Sequence, residues 1–232
     1  MSNFFITSDW HFGHANDANT KGILAFERGN RFNTIQEHDK YITECIEKWL
    51  HKLTPEDTFY FIGDFGRPDS KTLSELTRIF VATKCHKVAI RGNHDHETET
   101  GIMKTLFDEV YDYPIWISHR IVLSHFPCAV WKDQLNIHGH LHGSVLDSPN
   151  HLCASLHVAG YQPINNNIAN GCLGRLPKYN RRFLWEPWAD KYRVTQKKED
   201  CIYDKDGNID LAASRVMQCL NQRPHNKSGE SE

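Results

Sequence analysis

Five short apolar runs, each succeeded at once by a side chain that can bind a metal, limit what this chain can fold into more than any other feature. The runs are Phe4–Thr7, Thr58–Ile62, Lys87–Ile90, Arg120–Leu123 and Leu135–Ile137. Each has strand length and is rich in Ile, Val, Phe or Tyr. Continuous apolar runs of this kind suit strands covered on both faces. Helical patterns lie between them. Thr34-Ile35-Gln36-Glu37 reads as a capping box, and Tyr41, Ile42, Cys45, Ile46, Trp49, Leu50 and Leu53 then recur at helical spacing until Pro55. Ser70 is the expected cap of a second helix carrying Leu73, Leu76, Ile79 and Phe80, and a third helix is expected over Thr100–Phe107. Strands alternating with helices imply a layered α/β domain.

The residues immediately after each strand carry the chemistry. Asp9 and His11 come after the first, Gly63-Asp64 after the second, Gly92-Asn93-His94-Asp95 after the third, Ser124-His125 after the fourth and Gly139-His140-Leu141-His142 after the fifth. Ligands of open α/β sheets bind at the carboxyl ends of parallel strands. The donors are carboxylates, an amide and imidazoles, without thiolate, a set suited to manganese, iron or zinc. They are too many for one ion and fit two ions sharing a bridging carboxylate. In extended backbone, Asp9 and His11, like His140 and His142, would point to one side. Glycines 63, 92 and 139 let the backbone approach the cluster without a Cβ.

The remaining composition narrows the setting. Net charge is −2 over 232 residues, so no global field favours nucleic acid or an anionic membrane. Seven cysteines without a Cys-x-x-Cys pair argue against a disulfide framework and a thiolate zinc site. The start Met1-Ser2-Asn3 has no signal-peptide character, and no run reaches membrane-spanning length, so a cytoplasmic protein without a membrane partner is expected. Asn165-Asn166-Asn167 and Asn170-Gly171 read as loop. The main domain is expected over 1–190 and a hairpin and helix over 191–222, with the turn at Asp204–Asn208 and the helix capped by Asp210. Trp185, Trp188 and Tyr192 are expected to pack, and a polar tail over 223–232 to be disordered.

Taken together, Asp9-x-His11, Gly63-Asp64, Gly92-Asn93-His94-Asp95, His125 and Gly139-His140-x-His142 resemble the calcineurin-like metallophosphoesterase family, in particular its small prokaryotic and phage members. The resemblance implies a four-layer αββα sandwich with two metals at the strand ends. It implies that Asp9, His11 and His142 hold one ion, that Asn93, His125 and His140 hold the other, and that Asp64 bridges them. His94 is then the catalytic histidine, oriented by Asp95. Trp10 stands where that branch usually has Thr; it alternates away from the metal side and should affect packing only. The implied reaction is attack of a metal-bridging hydroxide on a phosphate ester, with two divalent ions as cofactors: manganese first, iron, zinc or nickel as alternatives. His14, Arg31 and Arg67 are candidate substrate contacts. His138 is expected in core or surface rather than at the metals, and His38, His51, His86 and His119 in ordinary positions. The protein-phosphatase motif Gly-Asp-x-x-Asp-Arg-Gly is replaced by Gly63-Asp64-Phe65-Gly66-Arg67-Pro68. A small nucleotide-type phosphodiester is therefore the expected substrate. The alternatives are a phosphomonoesterase, a single-strand nuclease, which the charge does not favour, and a non-catalytic metal-binding scaffold.

Overall fold

The computed structural model of the chain describes residues 3–14 and 32–176. In chain order the elements are β1 (Phe4–Thr7), α1 (Ile35–Leu50), β2 (Thr58–Ile62), α2 (Ser70–Ala82), β3 (His86–Ile90), α3 (Glu97–Leu106), β4 (Glu109–Tyr111), β5 (Ile115–Ser118), β6 (Ile121–Ser124), β7 (Leu135–His138), β8 (His151–Cys153), α4 (Leu156–Ala159), β9 (Ile164–Asn165) and α5 (Asn166–Arg175). The five apolar runs are β1, β2, β3, β6 and β7, each within one residue of its expected bounds.

The strands form two sheets, ordered β4-β3-β2-β1-β9 and β5-β6-β7-β8. Strands β1 to β4 are mutually parallel and β9 closes the edge antiparallel. In the second sheet β6, β7 and β8 are parallel and β5 is antiparallel. The period of two sorts the side chains of the first sheet. Phe59, Phe61 and Ala89 join Ile42, Ile46 and Trp49 of α1, Leu76, Ile79 and Phe80 of α2, and Met103 and Leu106 of α3. Ile6, Ile62 and Ile90 point the other way, onto Ile121, Leu123, Leu135 and Ile137 of the second sheet. Fully burying one such side chain stabilises by roughly 1.5–3 kcal/mol. The result is the layered α/β sandwich that the alternation of elements implies, with the first sheet buried on both faces.

Local chemistry explains most helix boundaries. Thr34 caps α1 by accepting from the Glu37 N–H at 3.2 Å, and Glu37 in turn accepts from the Asn33 N–H at 2.8 Å. The cap of α2 is Asp69 rather than Ser70: its carboxylate accepts from the Thr72 N–H at 2.7 Å, a stronger charge-assisted bond than a hydroxyl would make. Helix α3 begins at Glu97, three residues before the expected start. The loop expected around Asn165–Asn167 and Gly171 is instead α5. Asn165 caps it by accepting from the N–H groups of Asn167 and Ile168 at 3.0 and 3.2 Å. Ala169 and Cys172 bury against the inter-sheet core, and this packing overrides the poor helix propensity of asparagine and glycine. Arg31, the aromatic residues 185, 188 and 192, the Asp204–Asn208 turn, the helix after Asp210 and the segment from Arg223 lie outside the described residues. Among the described residues no helix is long and apolar enough to cross a membrane.

Candidate metal centre

Hydrogen bonding between the first two strands continues beyond their ends. Asp9, His11 and Phe12 donate their N–H groups to the carbonyls of Gly63, Asp64 and Phe65, each at 2.9 Å. Along this extension the backbone turns left-handed at Asp9 (φ 60°), His11 (46°) and Asp64 (63°), and again in the second sheet at His140 (69°) and His142 (44°). Among the described residues only one other non-glycine residue, Tyr161, has φ in this region. The two Asp/His-x-His pairs are therefore aimed by left-handed turns at the strand ends, not by the extended backbone expected from their spacing. Each such conformation costs about 1–3 kcal/mol, and it persists where surrounding contacts impose it, as at functional sites.

Three glycines make room. A Cβ on Gly63 (φ 101°) would strike the Gly92 N at 2.7 Å and the ring of His125. One on Gly92 would strike the Asp64 carboxylate, and one on Gly139 the Ser8 hydroxyl and Asp9 Oδ2 at 2.7 Å.

The donors meet where the carboxyl ends of the two sheets face each other. On one side Asp9, His11, Asp64 and His142 each bring a ligand atom within 4.8 Å of the others; on the other side Asp64, His125 and His140 do the same. Asp64 belongs to both groups. Its Oδ2 is buried without a hydrogen-bond donor and lies 3.3 Å from His11 Nε2 and 3.3 Å from His125 Nε2. Asn93 Oδ1 lies 3.0 Å from His125 Nε2 and 3.1 Å from His140 Nδ1. Both sheets cross-brace the cluster. The His140 N–H reaches the Asp9 carboxylate at 3.1 Å, and His125 Nδ1 donates to the Ile62 carbonyl at 2.9 Å. That last bond turns His125 Nε2 toward two oxygens about 3 Å away. Neighbouring donors on one ion, bound at about 2.1 Å each, sit about 3 Å apart. The residues present fit divalent cations.

Electrostatics point the same way. Burial raises the Asp9 carboxyl to about 7. Burial also acts to raise Asp64, but His125 and His11 outweigh it and hold Asp64 well below the usual carboxylate range. For His125 burial acts downward, and Asp64 overcomes it, lifting the imidazole to about 9. Burial pulls His11 down, and it pulls His142 down to about 2 with His11 adding to the effect. Two buried carboxylates and several imidazoles packed this closely need protons or metal cations between them.

The floor of the site, Asp9, His11, Asp64 and His125, is buried, whereas His94 and His14 are exposed at its mouth. The His94 N–H donates to Asp64 Oδ1 at 2.9 Å, and its ring lies 5.2 Å from that of His11. Asp95 acts differently from the expectation that it orients the His94 ring. Its two oxygens accept from the N–H groups of Asp64, Phe65 and Gly92 at 2.8, 2.7 and 2.7 Å. A carboxylate is suited to such convergent backbone donors, and here it ties the loop after β3 to the loop after β2. Arg67 stands beside the turn carrying His11 and pairs through Nε with the buried Glu99. His14 Nδ1 lies 2.9 Å from His11 Nδ1. His138 is fully buried, bonds the Gly139 carbonyl at 2.9 Å, and is driven down to about 3 by burial; it is a core residue. Trp10 is fully buried among Phe12, Phe59, Phe61, Phe65 and Phe107, facing away from the donors.

Sequence reasoning overlooked three supporting residues. Ser8 donates its hydroxyl to the Ile62 carbonyl at 3.1 Å, Asp39 accepts from the Gly13 N–H at 2.8 Å, and Glu99 holds Arg67. Only Ser8, next to Asp9, carries a signal in the sequence.

The model of the calcineurin-like phosphoesterase family matches residues 2–208. The chain belongs to the calcineurin-like phosphoesterase family. This phosphoesterase is 27% identical over 181 residues to an uncharacterized protein of Methanocaldococcus jannaschii, covering 72% of this chain and 89% of the relative. It is 23% identical over 177 residues to the gene 66 protein of Mycobacterium phage D29, covering 64% of this chain and 82% of that protein. Among solved structures it is similar to a protein of unknown function from Aquifex aeolicus, with TM-score 0.54 and 27% identity over 74% of this chain and 99% of that one. The enzyme is a metal-dependent phosphoric ester hydrolase, and its substrate is a phosphate ester.

Proposed function

We propose that the enzyme is a phosphodiesterase acting on a small nucleotide-type diester with two divalent ions, manganese being the preferred metal. In this reading Asp9, His11 and His142 would hold one ion, Asn93, His125 and His140 would hold the other, and Asp64 would serve both. The observation that carries it is the Asp64 carboxylate: fully buried, it shares one oxygen between His11 Nε2 and His125 Nε2 at equal distances of 3.3 Å. When bound, paired divalent ions polarise phosphoryl oxygens and lower the pKa of water. The chain's own residues supply the rest. His94 stands exposed at the mouth with its backbone anchored on Asp64, where its ring can give a proton to the departing oxygen. Asp95 holds the backbone of that loop, fixing where His94 stands.

Diester preference is supported by the charge at the mouth. Glu99 is buried and offsets the positive charge of Arg67, so that arginine is not available as an uncompensated clamp for a dianionic monoester. A diester carries one negative charge fewer. The net charge of −2 likewise favours a small substrate over a long polyanion. The test is kcat/KM for mono- and bis-p-nitrophenyl phosphate at one manganese concentration, repeated with a nucleotide diester. Diester turnover should exceed monoester turnover. A monoester preference of tenfold, about 1.4 kcal/mol in transition-state binding, would instead make this a phosphatase.

A further inference from the structure

We infer that His14 is a positioning residue for the metal centre: it holds the His11 ring in the tautomer that presents Nε2 to the ion, through the Nδ1–Nδ1 contact between the two rings. The inference rests on the proposed role of His11 as a ligand, and it gives His14 a different duty from the substrate contact expected from sequence.

His11 is buried, and its Nε2 faces the Asp64 oxygen at 3.3 Å. A neutral imidazole that ligates through Nε2 carries its proton on Nδ1, and that proton needs an acceptor. The group at hydrogen-bond distance is His14 Nδ1, at 2.9 Å. His14 Nδ1 is then the acceptor, on a side chain exposed at the mouth. The same need is met elsewhere in the cluster by the backbone: His125 Nδ1 donates to the Ile62 carbonyl at 2.9 Å and so turns its Nε2 toward the Asp64 and Asn93 oxygens. At His11 a side chain three residues along the chain takes that part.

The local fold is arranged to bring the two rings together. The His14 N–H bonds the His11 carbonyl at 3.0 Å, closing a turn with Gly13 in the left-handed third position (φ 64°). A Cβ on Gly13 would run into the Arg67 carbonyl, so only glycine fits. The turn is also tied down from a distance. Asp39, buried on α1, accepts the Gly13 N–H at 2.8 Å, with its other oxygen 3.1 Å from His38 Nδ1. These bonds set the His11 and His14 ring centroids 5.0 Å apart.

The experiment exploits side-chain isosterism. The Oδ1 of asparagine sits as many bonds from Cα as histidine Nδ1, whereas the amide of glutamine reaches the position of Nε2. Manganese binding to chelator-treated full-length protein is titrated calorimetrically for the wild type and for His14→Ala, His14→Asn, His14→Gln and His11→Ala. His14→Ala should weaken one of two ions by about ten- to a hundredfold, the usual effect of losing an outer partner of a ligating histidine. His14→Asn should restore that affinity to within about threefold, and His14→Gln should behave like His14→Ala. Unchanged affinity in His14→Ala, or rescue by glutamine and not asparagine, would overturn the inference and return His14 to the substrate. His11→Ala separates the two levels. If it loses an ion while His14→Ala does not, only the positioning role fails; if it loses none, His11 is not a ligand and the wider reading fails with it.

Discussion

His94 and His125 belong to the same constellation of strand-end donors, yet their surroundings give them opposite duties. His125 is buried with Nδ1 committed to a carbonyl, so its Nε2 faces inward, toward the Asn93 and Asp64 oxygens. His94 is exposed, and its backbone N–H ties it to the cluster. Replacing His94 with Ala should therefore lower kcat by about two to three powers of ten while metal analysis still finds both ions. Asp64→Ala should behave differently and lose metal, because both donor groups share that carboxylate. Proton competition gives a second expectation at this scale. With Asp9 and His125 as ligands, metal entry would need Asp9 ionised and His125 deprotonated. Burial holds Asp9 at about 7, and burial opposed and outweighed by Asp64 holds His125 at about 9. Manganese affinity should rise as pH climbs from about 6 to about 9 and fall toward acid, in titrations at fixed ionic strength. A flat profile over that window would show that metal entry displaces no protons from these two groups.

Elements position these residues through their ends. The loops after β1 and β2 stay hydrogen-bonded to each other while turning left-handed, which needs close backbone approach and glycine at the crossings. Gly139→Ala tests this. Its methyl group would meet the Ser8 hydroxyl and the Asp9 carboxylate, so urea unfolding should show a loss of about 1–3 kcal/mol, with reduced metal content. A fully stable variant holding both ions would show that the loop after β7 can give way. The long strands and α1 were legible in the sequence because their apolar periodicity and caps agree. Helix α5 was not, because its asparagines and glycines read as turn and only Asn165 capping and burial of Ala169 and Cys172 make it helical. The edge strands β4, β8 and β9 are only two or three residues long, too short for a period of two to register.

At the largest scale, the first sheet separates two cores among the described residues, and Trp10 belongs to the one under the helices. It is fully buried, with its ring centroid 4.3 Å from Phe61 and its Nε1–H donated to the Thr7 hydroxyl at 3.2 Å. Trp10→Ala should destabilise the fold by about 3–5 kcal/mol, read as a lowered melting temperature, because the cavity lies in the packed layer between sheet and helices. Trp10 faces away from the donors, so the folded fraction should keep its ions; loss of metal from protein that remains folded would couple the two. The clustering of Asp9, His11, Asp64, His125, His140 and His142 was readable from sequence because each follows an apolar strand, and parallel strands deliver their carboxyl ends to one place. The sequence could not supply how donors from different sheets meet. Asp9 and Asp64 come from one sheet, His125 and His140 from the other, and the cross-sheet bonds of His140 to Asp9 and His125 to Ile62 join loops 131 and 63 residues apart. Left-handed turns, the three-way backbone grip of Asp95 and the Asp39 anchor on Gly13 likewise depend on partners distant in the chain. Periodicity and local spacing report only on neighbours in sequence. The types of donor were determined there, and their convergence was decided by the packing of two sheets.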